Sequence, residues 1–138
     1  MPPQIHLQVA SAERALVDEM VDEVEVPGAE GYFGVLPGHT PLLALLGAGE
    51  FWYRRGTQTQ YLSLAFGFAE VQPDKVTVLA QIAERADEID VARAEAARMR
   101  AEQRLTTSTM DMDFERARIA LLKSLIRLQV ASRIKVRP

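Results

Sequence analysis

The sequence predicts an α+β chain: an N-terminal antiparallel β-sandwich or barrel of eight to ten strands, followed by a C-terminal antiparallel two-helix hairpin. Three observations carry this reading. Short period-two runs separated by glycine and proline turn signals fill residues 1–86, whereas residues 87–138 have no glycine, no proline before Pro138, and the 3.6-residue period of helices. The charge changes sign at the same place: residues 1–86 carry 11 acidic and 5 basic side chains, residues 87–138 carry 8 and 11. We therefore expect two units, 1–86 and 87–138.

In the first unit Ile5, Leu7 and Val9 alternate with His6 and Gln8, and Val24 and Val26 with Glu23 and Glu25, as half-buried strands do. FWYRR, TQYLSLAFGFAEVQ and KVTVLAQIA continue the strand-like pattern. Pro27-Gly28, Gly31, Pro37-Gly38, Gly47 to Gly49, Arg55-Gly56 and Pro73-Asp74 punctuate it. In the second unit Ala94, Ala97, Ala101 and Leu105 fall on one face of a helix beginning near Asp90. TTSTMDMD interrupts, with Asp113 as the expected N-cap of a second helix. That helix places Phe114, Ala117, Leu121, Leu125 and Leu128 on one line and Ile119, Leu122, Ile126 and Val130 on the next. So short a linker implies an antiparallel pair.

An alanine stripe lets two backbones approach closely but buries little. A leucine or isoleucine contributes roughly 1.5–3 kcal/mol, an alanine about a third of that by methyl count. The hairpin is therefore expected to hold weakly and to act as a switch element. Arg116, Arg118, Lys123, Arg127, Arg133, Lys135 and Arg137 follow Glu115 with no acid after it, so the tail is cationic.

Composition excludes several classes of chemistry. There is no cysteine and only two well-separated histidines, so disulfides, thiolate catalysis and a His- or Cys-built metal site are not expected. No GxxxxGK[ST] loop occurs, and GAGEFW lacks the third glycine of a dinucleotide fingerprint. The carboxylates are scattered without a nucleophile and base beside them. Catalytic residues: none are expected. No apolar run approaches the roughly 18 residues that span a bilayer. With no leader-like opening, a soluble protein on a bacterial cytoplasmic face, without direct membrane insertion, is expected.

HLQVASAE, EVPGAEGYFGVLPGHTPLL, FAEVQPDKVTVLA and IDVARAEAARMRAE together make the whole chain resemble the epsilon subunits of F-type ATP synthases. The resemblance implies a ten-stranded sandwich resting on the gamma subunit and the membrane rotor ring (c-ring), then a regulatory helical hairpin. The complex would lie at the bacterial plasma membrane, peripheral on the cytoplasmic side. It implies an ATP-binding pattern, (I/L)DxxRA, present as Ile89-Asp90-Val91-Ala92-Arg93-Ala94, with Glu84, Arg100 and Arg127 at matching positions. Lys123 departs from the arginine of strong binders, and a lysine cannot grip phosphate through a planar fork. ATP would be a regulatory ligand bound without hydrolysis, and no cofactor is required. His39 matches a position near gamma, and Tyr32 one near the rotor ring, where an aromatic replaces an acid. Arg116, Arg118 and Arg133 would pair with acidic stretches of the alpha and beta subunits once the hairpin extends.

Two other readings stay open on the residues alone. The hairpin charges can form a solvated face, with Arg98 and Glu102 as an i, i+4 pair. Nucleic-acid or anionic-membrane binding by the basic helix is disfavoured by the acids in the first helix, by the pI near 5.4 and by the lack of interleaved aromatics.

Overall fold

The computed structural model describes residues 3–107 and 111–136, and divides into two compact units, Met1–Arg85 and Ala86–Pro138. The first unit holds strands β1 (Ile5–Ser11), β2 (Ala15–Val21), β3 (Glu23–Gly28), β4 (Gly31–Val35), β5 (Leu42–Arg55), β6 (Gln58–Val71) and β7 (Lys75–Arg85). The second holds a 3₁₀ turn (Ala86–Glu88) and helices α1 (Val91–Thr107) and α2 (Asp111–Val136). The expected plan of a β-sandwich followed by two helices is the plan observed.

The strands form one continuous sheet in the order β2-β1-β7-β6-β5-β3-β4. Every pairing is antiparallel except β1 with β7, which is parallel and brings the start of the sandwich beside its last strand. Parallel neighbours need a long connection, and here five intervening strands supply it.

The seven observed strands replace the expected ten, and the reason lies in the three longest. In β5 the inward residues are even-numbered before the bend (Leu46) and odd after it (Phe51, Tyr53). The same switch occurs in β6, from Leu62 and Leu64 to Ala69 and Val71, and in β7, from Val76, Val78 and Ala80 to Ala83. The switches line up across the sheet: Leu46, Gly67 and Ala80 are mutual partners on one side, Ala48, Ala65 and Ile82 on the other. A one-residue change of phase exchanges the two faces of a strand. The sheet therefore folds over along this line, and each long strand serves both layers; counted as two segments apiece, they give the ten expected. Phe66 (φ 62°) and Gly67 (φ 118°) make the turn of the backbone in β6.

Both layers enclose one core of Ile5, Leu7, Val9, Val21, Val24, Val26, Val35, Phe51, Leu62, Leu64, Val76 and Val78. Its far end is closed by polar bonds. Tyr53 donates its hydroxyl to Glu19 at 3.0 Å, Arg55 pairs with Glu19 at 2.9 Å, and the Asp22 N–H donates to the Arg54 carbonyl at 2.8 Å. Burial, then the Glu19 carboxylate, push the Tyr53 phenol up to about 12.

Asp22 fastens two turns together. Its carboxylate accepts the Gly56 N–H at 2.7 Å and the Gln4 side-chain amide at 3.2 Å, and these donors, Gly56 first, hold it below its ordinary value of 3.8. A depressed carboxyl stabilises the fold above its unfolded value, and that stabilisation disappears as pH falls through the lower folded value. Wild type should therefore exceed Asp22→Asn in urea resistance at pH 7, and the two should converge as pH falls below 3.8 and through the depressed folded value. Equal resistance at pH 7 would show that the fastening contributes nothing.

Candidate functional site

The hairpin begins with a well-made cap. The Ile89 side chain is buried, and Asp90 accepts the Arg93 N–H on its carboxylate at 3.1 Å while its main-chain carbonyl accepts the Ala94 N–H at 3.0 Å. Asp90 is thus the N-cap of α1, a role whose loss costs about 1 kcal/mol. Asp113 lies inside α2, which already begins at Asp111, so it is not the N-cap expected; linker residues 108–110 lie outside the described residues, as do the side chains of Lys135 and Arg137.

The seam between the helices differs from the expected leucine lines. Ala94 and Ala101 on α1, and Ala117, Ser124 and Ala131 on α2, are buried at seven-residue spacing, with Ile126 and Val130 beside them. Phe114, Leu122 and Leu125 are exposed instead. Small side chains on α1 draw the axes together, so α2 must present small side chains too; leucines there would prop the helices apart. Ser124 returns its hydroxyl to the Leu121 carbonyl at 2.9 Å, so its burial leaves no donor unmet.

Among the sequence-selected ATP residues, Ile89, Asp90 and Ala94 have folding roles: a buried anchor, a cap and a seam position. Arg93 and Arg100 are exposed on α1; Lys123 and Arg127 are half-buried one turn apart on α2. Glu84 belongs to β7 of the first unit. Arg98, outside that set, is held by Glu95 and Glu102 on its own helix, and these two, Glu95 first, raise its guanidinium above its ordinary value. In the basic tail Arg118 grips Glu115 with two bonds, at 3.0 and 3.2 Å, so this cation is already matched, while Arg116 is exposed and Arg133 half-buried.

In the sandwich, His39 sits in a loop pinned at both ends. The His39 N–H donates to the Leu36 carbonyl at 3.2 Å, the Gly38 N–H to Pro73 at 2.7 Å, and His39 Nδ1 lies 2.6 Å from the Thr40 carbonyl. Gly38 takes a φ of 88°, open to glycine at no cost. Tyr32 is 56% exposed, yet its hydroxyl accepts the Glu50 N–H at 2.9 Å. Phe33 packs against the core and Trp52 is half-buried.

The exposed apolar surface lies elsewhere and went unnoticed in the sequence. Leu45, Phe68 and Leu79 are direct cross-strand partners on β5, β6 and β7, and are 71%, 43% and 43% exposed. Leu43 continues the stripe along β5, Ile82 is exposed beyond the fold line, and Leu36 and Leu42 are exposed nearby in the chain. A contiguous apolar stripe on a sheet surface marks a protein contact far better than scattered single residues do.

Among the described residues no cluster of His, Cys, Asp or Glu fits a metal ion, and no helix is long and apolar enough to cross a membrane. A sandwich with an uncovered apolar stripe, joined to a helix pair with its leucines outward, defines a subunit built to dock in a larger assembly. Residues 4–86 match the family model for the ATP synthase Delta/Epsilon chain β-sandwich domain, and residues 87–132 that for its long α-helix domain. The chain belongs to the ATP synthase Delta/Epsilon chain family, as a non-catalytic epsilon-type subunit. It is 47% identical over 133 residues to the ATP synthase epsilon chain of Syntrophobacter fumaroxidans, covering 96% of this chain and 99% of that one. It is 46% identical over 133 residues to that of Solibacter usitatus, with the same coverage of each. A chain in the cryo-EM structure of Euglena gracilis mitochondrial ATP synthase, OSCP/F1/c-ring, shares the fold at a TM-score of 0.80 and 23% identity, over 99% of this chain and 84% of that one.

Proposed function

We propose that this chain is a rotor subunit of a bacterial F-type, proton-translocating ATP synthase. It links the gamma subunit to the c-ring on the cytoplasmic side of the plasma membrane and restrains ATP hydrolysis through its hairpin. The observation that carries this reading is the Leu45, Phe68 and Leu79 stripe: three large apolar side chains in cross-strand register on a surface the chain leaves uncovered. A buried leucine or phenylalanine is worth about 1.5–3 kcal/mol over an exposed one, so three such side chains suffice to anchor a lasting contact. Tyr32 and His39 belong to the end of the sandwich that bears on the rotor.

For the hairpin, the weak seam and the outward Leu122 and Leu125 support an element that leaves its partner helix. Once extended, those leucines bury against the alpha and beta subunits, with Arg116 and Arg133 matched to acids there. Arg93, Arg100, Lys123 and Arg127 supply the cations for an ATP phosphate chain that favours the folded hairpin, with Asp90 as the acidic member of the set. A ligand bound only by the folded form adds about 2.7 kcal/mol at a hundred times its Kd, which is on the scale of the seam itself.

Leu45→Glu with Phe68→Lys changes only exposed positions and places opposite charges in a cross-strand pair, so the variant should fold and melt close to wild type. It should also lose co-purification with gamma and weaken the coupling of proton flow to ATP synthesis. Undiminished association would remove the sandwich role. For the hairpin, titrating ATP to millimolar concentration into wild type and Arg93→Ala/Arg127→Ala should give heat with the first and none with the second.

A further inference from the structure

On the other side of β5 from the stripe's partner strands, the pairing of β3 with β5 is broken. Glu23, Val24 and Glu25 pair with Arg54, Tyr53 and Trp52, and pairing resumes only at Gly28 with Leu46. Two residues of β3, Val26 and Pro27, thus face residues 47–51 of β5. Continued, the first register would set Pro27 opposite Glu50 and direct the Glu50 N–H at the main chain of β3; the break forfeits that bond. Tyr32 supplies it. On β4 it is the partner of Pro27, and its side chain crosses β3 so that its hydroxyl accepts the Glu50 N–H at 2.9 Å. Gly49 leaves room for the crossing: a Cβ there would strike the Tyr32 hydroxyl and stand 2.6 Å from the Pro27 Cβ. The β3–β4 turn holds β5 a second time where the Ala29 N–H donates to the Leu45 carbonyl at 2.8 Å.

We infer that Tyr32 is a positioning residue of the docking surface. Its hydroxyl clasps the β3–β4 hairpin to β5 across the break and, with the Ala29 bond, fixes Leu45 in line with Phe68 and Leu79. This differs from the aromatic rotor contact expected of Tyr32, because the functional group is the hydroxyl and the effect is exerted through Leu45. The inference rests on the docking role proposed for the stripe.

Tyr32→Phe removes the oxygen and keeps the ring, so it separates the two roles; Tyr32→Ala removes both. In Tyr32→Phe the Glu50 amide should exchange with solvent about tenfold faster, as expected when one backbone donor loses its partner. Binding to purified gamma, measured well below the melting temperature, should weaken about tenfold, and Tyr32→Ala should lose little more. Wild-type affinity in Tyr32→Phe would overturn the positioning role, and if Tyr32→Ala alone then bound poorly the ring would be the contact. An unchanged Glu50 amide would overturn the clasp itself. Failure of the wild-type chain to bind gamma would refute the docking role, while the exchange result would still decide whether the clasp exists.

Discussion

Replacing Gly67 with alanine should destabilise the sandwich by about 2–5 kcal/mol, from two additive causes. At a φ of 118° a side chain occupies a backbone region that costs an L-residue roughly 1–2 kcal/mol. The new Cβ would also run into the Leu79 carbonyl oxygen and stand 2.9 Å from the Ala80 Cα, both rigid backbone, and overpacking of this kind costs about 1–3 kcal/mol. For a unit of this size the sum corresponds to a fall in Tm of at least about 8 °C. Gly34→Ala is the matched control, because nothing lies within 4 Å of its added Cβ and its φ is not positive. A Gly67→Ala chain melting within a few degrees of wild type would show that the fold line tolerates relaxation. Since Gly67 precedes Phe68 and pairs across to Leu46, a partly folded variant should also lose the alignment of the apolar stripe.

The same fold line explains how far the sandwich could be read from sequence. Alternation in IHLQV and VEV is legible because each strand keeps one face inward throughout. Across LSLAFGFAEV the inward parity changes at Phe66 and Gly67, so one strand reads as two and the count rises from seven to ten. The stripe was hidden by the same sequences. In β5 to β7 apolar residues occupy both faces, and composition cannot tell a strand buried on both sides from one whose outer face awaits a partner. The parallel β1–β7 pairing joins residues about seventy apart, which no local pattern encodes. In the hairpin, helix existence and the start of α1 near Asp90 were legible, but the N-cap of α2 and its facing side were not. Weighting by hydrophobicity favours leucine, whereas close packing against Ala94 and Ala101 favours Ala117, Ser124 and Ala131, and geometry prevailed.

That geometry makes the second large effect predictable. Five small buried side chains contribute at most about 0.8 kcal/mol apiece by methyl burial, so the small-residue part of the seam, beside Ile126 and Val130, is worth about 4 kcal/mol before the entropy of ordering α2 is set against it. A leucine at Ala94 or Ala101 must separate the axes or strain its rotamer, at about 1–3 kcal/mol per site. Ala94→Leu with Ala101→Leu should therefore open the hairpin while the sandwich melts as before, seen as loss of amide protection in α2 alone. Ser124→Ala should hold the hairpin at least as tightly, since its hydroxyl bond stays within its own helix. Leu122→Ala with Leu125→Ala, on the outward side, should leave the protection of α2 unchanged. These three variants separate the seam from the outer face. In an assembled enzyme the opened hairpin should deepen inhibition of ATP hydrolysis, and loss of the outward leucines should relieve it. Retained protection of α2 in the double-leucine variant would mean that the helices are held by something other than their small-residue seam, and the switch would lose its physical basis.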